Sequence, residues 1–506
     1  MAFPWTLLFA LAIIVIAGNF AFKRPKYPPG PRKHWLLGNL YDIPRHVDWD
    51  KLLAWKREFG DLVYLTAFGK SVLVLNSHTA VKDLLDKRAK NFSHRPQTVM
   101  AGELFGLGKS MALFEYNERY RELRKLTQQA FSPDGLRKYQ DVQLDIVKLF
   151  LDSLRKDPND FRIQTRLAVS RTILAVTYGM PVKLADEGYI ADAELTTKTV
   201  TMATFPGAYL VDLLPFLKYL PSWFPGAGFK KEGEYGYKLI SKHVTRPFNY
   251  VREKLAEGIE HPSFVSDLLS GSENVRRHNI IEDERWLEDV KWAAGGMFSA
   301  GVDTSYATIL VFFILMARHP DVQERARAEI DAVTGGRRPV TSEDRSKLPY
   351  SAAVMKEVTR WHVVVPTGLF RRSGDSEVYN GQLIPANTIV VPCIWSLSQE
   401  VEDPERFDPE RFLHDNKTPN PYEYIFGFGR RICPGRYLAE HFIFLLTANL
   451  LTFYNISIPK ACPEGLASPS DVTFTRTLTS YPEPFACDIR PRSERHAEDV
   501  AAMVAD

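Results

Sequence analysis

Residues 426–435 read FGFGRRICPG, a single cysteine set in a turn crowded with glycine and positive charge. A free thiol has a pKa of about 8.5 and ionises more readily beside arginine, a free backbone N–H or a metal. Arg430 and Arg431 precede Cys433, and Pro434 and Gly435 follow it. The local chemistry therefore favours a thiolate presented from a tight loop, as a ligand or as a nucleophile. Taken alone, such a cysteine reads first as a small buried hydrophobe.

The chain has 506 residues, 45% apolar and 25% charged, proportions that support a large globular core. A net charge of +3 gives no reason to propose a nucleic-acid partner. The four cysteines, Cys393, Cys433, Cys462 and Cys487, include no C-x-x-C pair and are too few for a disulfide framework. No Cys/His cluster has the spacing of a structural zinc site. Reduced thiols in a domain facing the cytosol are the simplest reading.

From Met1 to Phe22 no residue is charged, and the run is long enough to cross a bilayer as a helix. KRPKYPPGPRK follows, and Lys23, Arg24 and Lys26 predict that this end stays on the cytoplasmic side. The segment lacks a basic n-region and exceeds a usual h-region, so residues 1–22 read as a retained anchor rather than a cleaved signal. Residues 23–41 read as a stiff linker, because Pro25, Pro28, Pro29 and Pro31 cannot continue a helix. One domain is expected from 42 to 492, followed by a polar tail, 493–506.

Within that domain, GDLVYLTAFGKSVLVLNS alternates apolar residues around Gly69 and predicts a β-hairpin. Residues 284–318 lack proline, begin among acidic residues and stop at His319-Pro320, which predicts one long helix crossing the core. SAAVMKEVTRWH predicts a second helix and NTIVVPCIW a strand. Proline-rich EDPERFDPERFLHDNKTPNPYEY places Cys433 on a long loop that feeds the helix GRYLAEHFIFLLTANLLTFY. The expected fold class is mainly α with a minor β part.

Phe426, Gly429, Arg431, Cys433 and Gly435 fill every position of F-x-x-G-x-R-x-C-x-G. On this motif the chain resembles the cytochrome P-450 superfamily of haem-thiolate monooxygenases, and the likeness extends from PPGP near the N-terminus to PEPF at 482–485. The resemblance implies the P-450 fold, Cys433 as axial ligand of the iron of haem b (protoporphyrin IX), Phe426 beside it and Arg431 on a haem propionate. A thiolate ligand pushes electron density onto iron and favours O–O cleavage.

The stretch AGVDTS, by itself a helix with a tolerated glycine, then resembles the family's oxygen-binding groove. There Ala300 and Gly301 would leave room, and Asp303 and Thr304 would relay protons. An i, i+3 pair such as Glu357 and Arg360 is ordinarily a solvent-exposed salt bridge. With Arg411 of FDPERF it resembles the family's structural triad. Arg124 and Arg372 match further propionate contacts, with Arg371 as the alternative to Arg372. Two departures stand out: Tyr120 occupies a position usually held by Trp, although a phenol can still donate a hydrogen bond, and the loop after Trp395 looks shortened.

This likeness implies insertion of one oxygen atom of O2 into a C–H or C=C bond. Electrons would come from NADPH through a membrane-bound reductase, with cytochrome b5 as a further donor, since no G-x-G-x-x-G stands at a strand-to-helix turn. Arg121, Lys125, Arg430 and Arg436 are candidates for the docking face, or are simply solvated surface. By analogy Met297, Phe298, Val364, Val365 and Leu478 line the chamber, which favours a lipophilic substrate. LPFLKYLPSWFPGAGFKK suits a lipid interface at the substrate entrance. Together with FSAGVDTS it resembles fungal monooxygenases of specialised metabolism, acting on a terpenoid or else on an aromatic or indolic scaffold at the endoplasmic reticulum membrane. A reductase-independent haem-thiolate isomerase would not need Asp303 and Thr304, and a non-catalytic haem binder would keep only Cys433.

Overall fold

The computed structural model describes residues 26–43, 46–181, 208–270, 284–414 and 418–504, with scattered positions between 188 and 204. The expected anchor, 1–22, lies outside the described residues. In chain order the principal elements are α1 (Trp49–Phe59), β1 (Leu62–Ala67), β2 (Lys70–Leu75), α2 (Glu118–Ala130), α3 (Gln140–Lys156), α4 (Phe161–Tyr178), α5 (Phe229–Ala256), α6 (Glu284–Arg318), α7 (Pro320–Thr334) and α8 (Pro349–Trp361). Strands β3 (Arg371–Arg372), β4 (Glu377–Tyr379), β5 (Gln382–Ile384) and β6 (Ile389–Pro392) follow, then α9 (Arg436–Phe453), β7 (Tyr454–Ser457), β8 (Asp488–Pro491) and α10 (Glu494–Ala502). The architecture is mainly helical with small sheets.

The hairpin forms as the sequence predicts, in register from Leu62↔Leu75 to Ala67↔Lys70. Its two-residue turn puts Phe68 at φ +47° and Gly69 at +74°, the left-handed pair that matches the natural twist of the strands. The mixed sheet runs β1-β2-β6-β3, and β6 lies parallel to β2. This pairing brings the 370s and 390s beside the N-terminal part of the domain, a contact that no local pattern announces.

Helix α6 has the bounds expected from its proline-free sequence. It is long and apolar enough to cross a membrane, yet 83% of its most apolar window is buried inside the protein, so it is the core helix. Ile309 to Phe313 are fully buried, and α6 packs with α4, α5, α7, α8 and α9. Small residues set these approaches. A Cβ on Gly295 would stand 2.3 Å from Cγ1 of Val244 in α5, and one on Gly301 would stand 2.9 Å from Cδ1 of Ile173 in α4.

The polar tail is not featureless. Ser493 accepts from the His496 N–H and caps α10, which buries Val500 and pairs Asp499 with Arg337 at 3.0 Å. The sequence there is polar because only one side of the short helix is covered.

Gly295→Ala is expected to destabilise the domain by about 1–3 kcal/mol, because overpacking at the α5–α6 crossing outweighs the gain of up to about 1 kcal/mol in helix propensity. Thermal unfolding of the purified domain checks this.

Candidate active site

The Cys433 loop is closed by its own backbone. The Cys433 N–H donates to the Phe426 carbonyl at 2.7 Å, with Gly427 at φ +78° and Gly429 at +50°. Gly429 is obligatory for space as well, since a Cβ there would meet the Leu85 carbonyl at 2.3 Å. Helix α9 begins with Arg436, three positions after Cys433, so its positive end faces the loop.

The arginines adjacent in sequence do not serve the sulfur. Arg430 reaches the Tyr116 hydroxyl at 2.7 Å on the surface, and Arg431 donates to the carbonyls of Ser93, Met111 and Phe114. Burial pushes the Cys433 thiol up, opposed by the Gly435 N–H and by the charges of Arg124 and Arg436. The arginines that favour the ionised thiol here are Arg124 and Arg436 rather than the adjacent Arg430 and Arg431.

Four guanidinium groups, of Arg95, Arg124, Arg371 and Arg431, are buried together. Arg124 and Tyr120 lie four apart on the covered face of α2, where Arg124 feels both Tyr120 and Cys433. Arg371 points inward from β3: Nη2 donates to the Phe428 carbonyl at 2.9 Å and Nη1 has no partner. Burial, then the charge of Arg431, pushes Arg371 down to about 9. Arg95 bonds the carbonyls of Ala112, Leu369 and Phe370. Among the described residues none of the four forms an ion pair with a carboxylate. Buried charge without a counter-charge is costly, and this cluster fits a group that brings two carboxylates.

Two expectations change here. Arg372 alternates to the other face of β3 and is held by Glu115, Asn387 and the Arg95 carbonyl; Arg371 takes the inward place. Tyr120 donates its hydroxyl to the Arg430 carbonyl at 2.9 Å and stacks its ring 3.7 Å from the Arg431 guanidinium. The phenol thus positions the Cys loop rather than offering a free donor. Arg95 was not singled out from sequence. Its only local signal is a basic residue in FSHRPQ, too common a pattern to mark a site.

Glu357 and Arg360, one turn apart in α8, are fully buried and bidentate, at 2.7 and 2.8 Å. Arg360 also donates to the carbonyls of Ser398 and Arg406. Arg411 Nε lies 3.4 Å from Glu357, which also accepts the Asp408 N–H at 2.9 Å. The exposed-salt-bridge reading does not hold. The loop after Trp395, read as shortened, remains joined to this cluster: Asp403 adopts φ +48° and its carbonyl accepts from Arg411 at 2.8 Å.

On α6, Ala300 is accessible midway along the helix, flanked by half-buried Ser299 and Gly301, and Thr304 donates to its carbonyl at 2.9 Å. Gly301 instead turns its bare face to Ile173, so its smallness serves helix packing rather than the groove. Asp303 is buried and faces α4, with Arg166 Nη1 at 3.3 Å. Of the expected chamber residues, Phe298 is removed by its stacking on His243 at 5.0 Å, inside the α5–α6 contact. The Ser480 N–H donates to the Val364 carbonyl, bringing together the two segments that carry Val364, Val365 and Leu478.

A half-buried thiol closing a glycine turn, a cradle of arginines bonded to carbonyls rather than carboxylates, and an accessible helix groove are features of haem-thiolate enzymes, and the chain belongs to the cytochrome P450 family, whose model matches residues 28–479. It is 36% identical over 491 residues to Cytochrome P450 monooxygenase COX2 of Coprinopsis cinerea, covering 95% of this chain and 91% of that protein. It is 34% identical over 504 residues to Cytochrome P450 monooxygenase 208 of Postia placenta, covering 98% and 96%. With Cytochrome P450 monooxygenase claR of Ampulloclitocybe clavipes it shares 35% over 508 residues, covering 98% and 92%. The protein is a cytochrome P450 monooxygenase, a class that works with haem iron, dioxygen and electrons from a redox partner.

Arg360→Ala removes the bidentate partner of the buried Glu357 and leaves it only Arg411 at 3.4 Å and the Asp408 N–H, and a loss of about 3 kcal/mol is expected. Chemical denaturation, or failure of the variant to accumulate in soluble form, reads the effect.

Proposed function

We propose that this enzyme is a membrane-anchored monooxygenase that oxidises a lipophilic intermediate of fungal specialised metabolism, a terpenoid foremost, with Cys433 as the thiolate ligand of haem b. The observation that carries the site assignment is the burial of Arg95, Arg124, Arg371 and Arg431 without carboxylate partners beside the Cys433 loop. These arginines would hold the two propionates by charge-assisted hydrogen bonds. Haem iron with a thiolate ligand supplies reductive activation of dioxygen and insertion of one oxygen atom into a C–H or C=C bond.

The protein's own groups prepare that chemistry. The Gly435 N–H tempers charge on the sulfur. Ala300 keeps bulk out of the groove, and Thr304 is held against its carbonyl in position to pass a proton along α6. Asp303 is held by Arg166 and by Tyr481, so its carboxylate would have to leave these partners to pass a proton to Thr304. Glu357, Arg360 and Arg411 fix the segment that leads to the Cys loop.

The terpenoid reading rests on likeness to fungal enzymes and on a mostly apolar set of expected chamber residues. An endoplasmic reticulum location is supported by the apolar run 1–22 and by exposed apolar side chains on neighbouring segments: Trp35 and Leu36, Phe68 at the hairpin tip, and Phe216, Tyr219 and Trp223. NADPH-derived electrons would arrive through a reductase, with cytochrome b5 as an additional donor, where Arg121, Lys125 and Arg430 are exposed.

Reduced protein in microsomes should show a strongly red-shifted Soret band with carbon monoxide, and an unshifted band would remove Cys433 as the ligand. Cys433→Ala is expected to lose haem. Arg371→Gln should weaken haem retention while Arg372→Gln leaves it near wild type, measured as haem per protein after dilution. Thr304→Ala should keep haem but lower product formed per NADPH by about tenfold or more; unchanged coupling would end its proton-delivery role.

A further inference from the structure

A cleft beside the Glu357–Arg360 pair has no part in the chemistry derived above. Trp361 follows Arg360 at the end of α8. With Trp49 of α1, Trp395, His362 and Phe474 it encloses a cavity of about 130 Å³, to which Gln399, Pro404 and Glu405 also contribute. The five rings come from four parts of the chain. Trp49 and Trp395 have centroids 5.7 Å apart, His362 and Trp395 5.8 Å, and Trp361 and Phe474 6.5 Å, while His362 stacks on Phe474 at 3.7 Å. Gln399 and Pro404 are half-buried and Glu405 is exposed, so these three form the rim. That rim is the connection after Trp395, read above as shortened, and a shorter connection has less chain with which to cover the rings.

Size, charge and hydrogen bonding each restrict what can enter. An apolar cavity of about 150 Å³ takes up benzene, so this one has room for a single ring. Its walls are ring faces and edges, which favour an aromatic guest in edge-to-face or offset contact. Two guanidinium groups already lie on these indoles: Arg476, itself paired with Asp48 and Asp50, is 4.9 Å from the Trp49 ring, and Arg318 is 5.4 Å from Trp361. They take up the attraction that aromatic faces offer a cation. The exposed carboxylate of Glu405 disfavours an anion, which leaves a neutral guest. His362 is uncharged, because burial pushes it down to about 3. Ser480 Oγ donates to the Thr475 carbonyl at 3.0 Å, so at 3.0 Å from His362 Nε2 it accepts the imidazole N–H. The His362 lone pair is therefore on Nδ1, which has no hydrogen-bond partner among the described residues.

We propose that the cavity enclosed by Trp49, Trp361, His362, Trp395 and Phe474 is a binding site for a neutral single-ring molecule with one hydrogen-bond donor, a phenol, and that its occupation stiffens the connection 399–407. The second part follows from what the rim is attached to. Trp361 Nε1 donates to the Glu405 carbonyl at 3.0 Å, and Arg360 and Arg411 both donate to the neighbouring Arg406 carbonyl. A guest seated between Trp361 and the rim braces the same stretch of backbone. Neither Cys433 nor the arginine cradle lines the cavity, so the site stands apart from the haem-thiolate reading.

The test titrates phenol into the full-length holoenzyme in lipid nanodiscs, its tryptophans replaced by 5-fluorotryptophan and read by fluorine NMR. The signals of Trp49, Trp361 and Trp395, each assigned by its change to Phe, should shift saturably with a Kd of about 1 mM or tighter, while Trp55 of the same helix α1 stays still. Toluene, which has the ring without the donor, should bind about fivefold more weakly, and tetramethylammonium should leave the three signals unmoved. At ten times the Kd, phenol should slow hydrogen exchange over 399–407 by about tenfold, as expected when opening requires the guest to leave. Gln399→Tyr places a ring in the cavity and should abolish the shifts with the carbon monoxide band unchanged. Shifts that are absent, that fail to saturate or that spare these three tryptophans in the wild type would overturn the site without any variant, as would persistence of the shifts in Gln399→Tyr. An equal response to tetramethylammonium would overturn the neutral guest, equal affinity for toluene the hydrogen bond to His362, and unchanged exchange the stiffening.

Discussion

The buried ion pair between Glu357 and Arg360 is the constraint on which the Cys433 loop depends. Both side chains are fully buried, so loss of Glu357 strands Arg360 in the core, and loss of Arg360 leaves Glu357 only the longer contact with Arg411. Such a pair adds little net stability over apolar packing but strongly penalises any arrangement that separates it. Its remaining hydrogen-bonding capacity is directed at backbone: the carbonyls of Ser398 and Arg406 and the Asp408 N–H. A long, proline-rich connection with no regular ladder of its own is thereby held against α8. The structure needs that hold, because this connection delivers the thiol.

The site itself is organised by buried positive charge that, among the described residues, has no carboxylate in ion-pair contact, Asp86 and Glu115 acting only from further away. Four arginines enter one buried region from four parts of the chain, namely the segment after β2, helix α2, strand β3 and the Cys loop, and they bond mostly to carbonyl oxygens. Desolvation depresses each of them. The same burial raises the Cys433 thiol. In the proposed reading an anionic metal complex would answer both, its carboxylates facing the arginines and its metal holding the sulfur as thiolate. The replacement of Trp by Tyr120 is accommodated in this setting, since the phenol grips the Arg430 carbonyl and the ring covers Arg431.

Around this centre, the inner helix and the outer wall are held by different kinds of contact. Helix α6 is fixed by close crossings at Gly295 and Gly301, whereas the outer wall at 99–104 is fixed by a few polar contacts between segments without long regular structure, Asp212 accepting the Val99 and Met100 N–H groups. Close-packed apolar contacts resist opening more than single hydrogen bonds do.

The sequence by itself determined the class of fold, the hairpin, the bounds of α6, and the thiol and its glycines, because each rests on local spacing: periodicity, proline stops, and φ values that only glycine adopts readily. Glu357, Arg360 and Arg411 were likewise legible once Cys433 gave them a context. Only the tertiary structure decided which of two adjacent arginines faces inward, since alternation along β3 follows from its pairing with β6. It also decided that Gly301 serves Ile173, that Phe298 belongs to the α5–α6 contact, that Arg95 joins the cradle, and that Asp212 caps a segment far away in sequence. Those outcomes depend on which surfaces meet across long separations, and side-chain burial and desolvation are set by the meeting rather than by the neighbours in the chain.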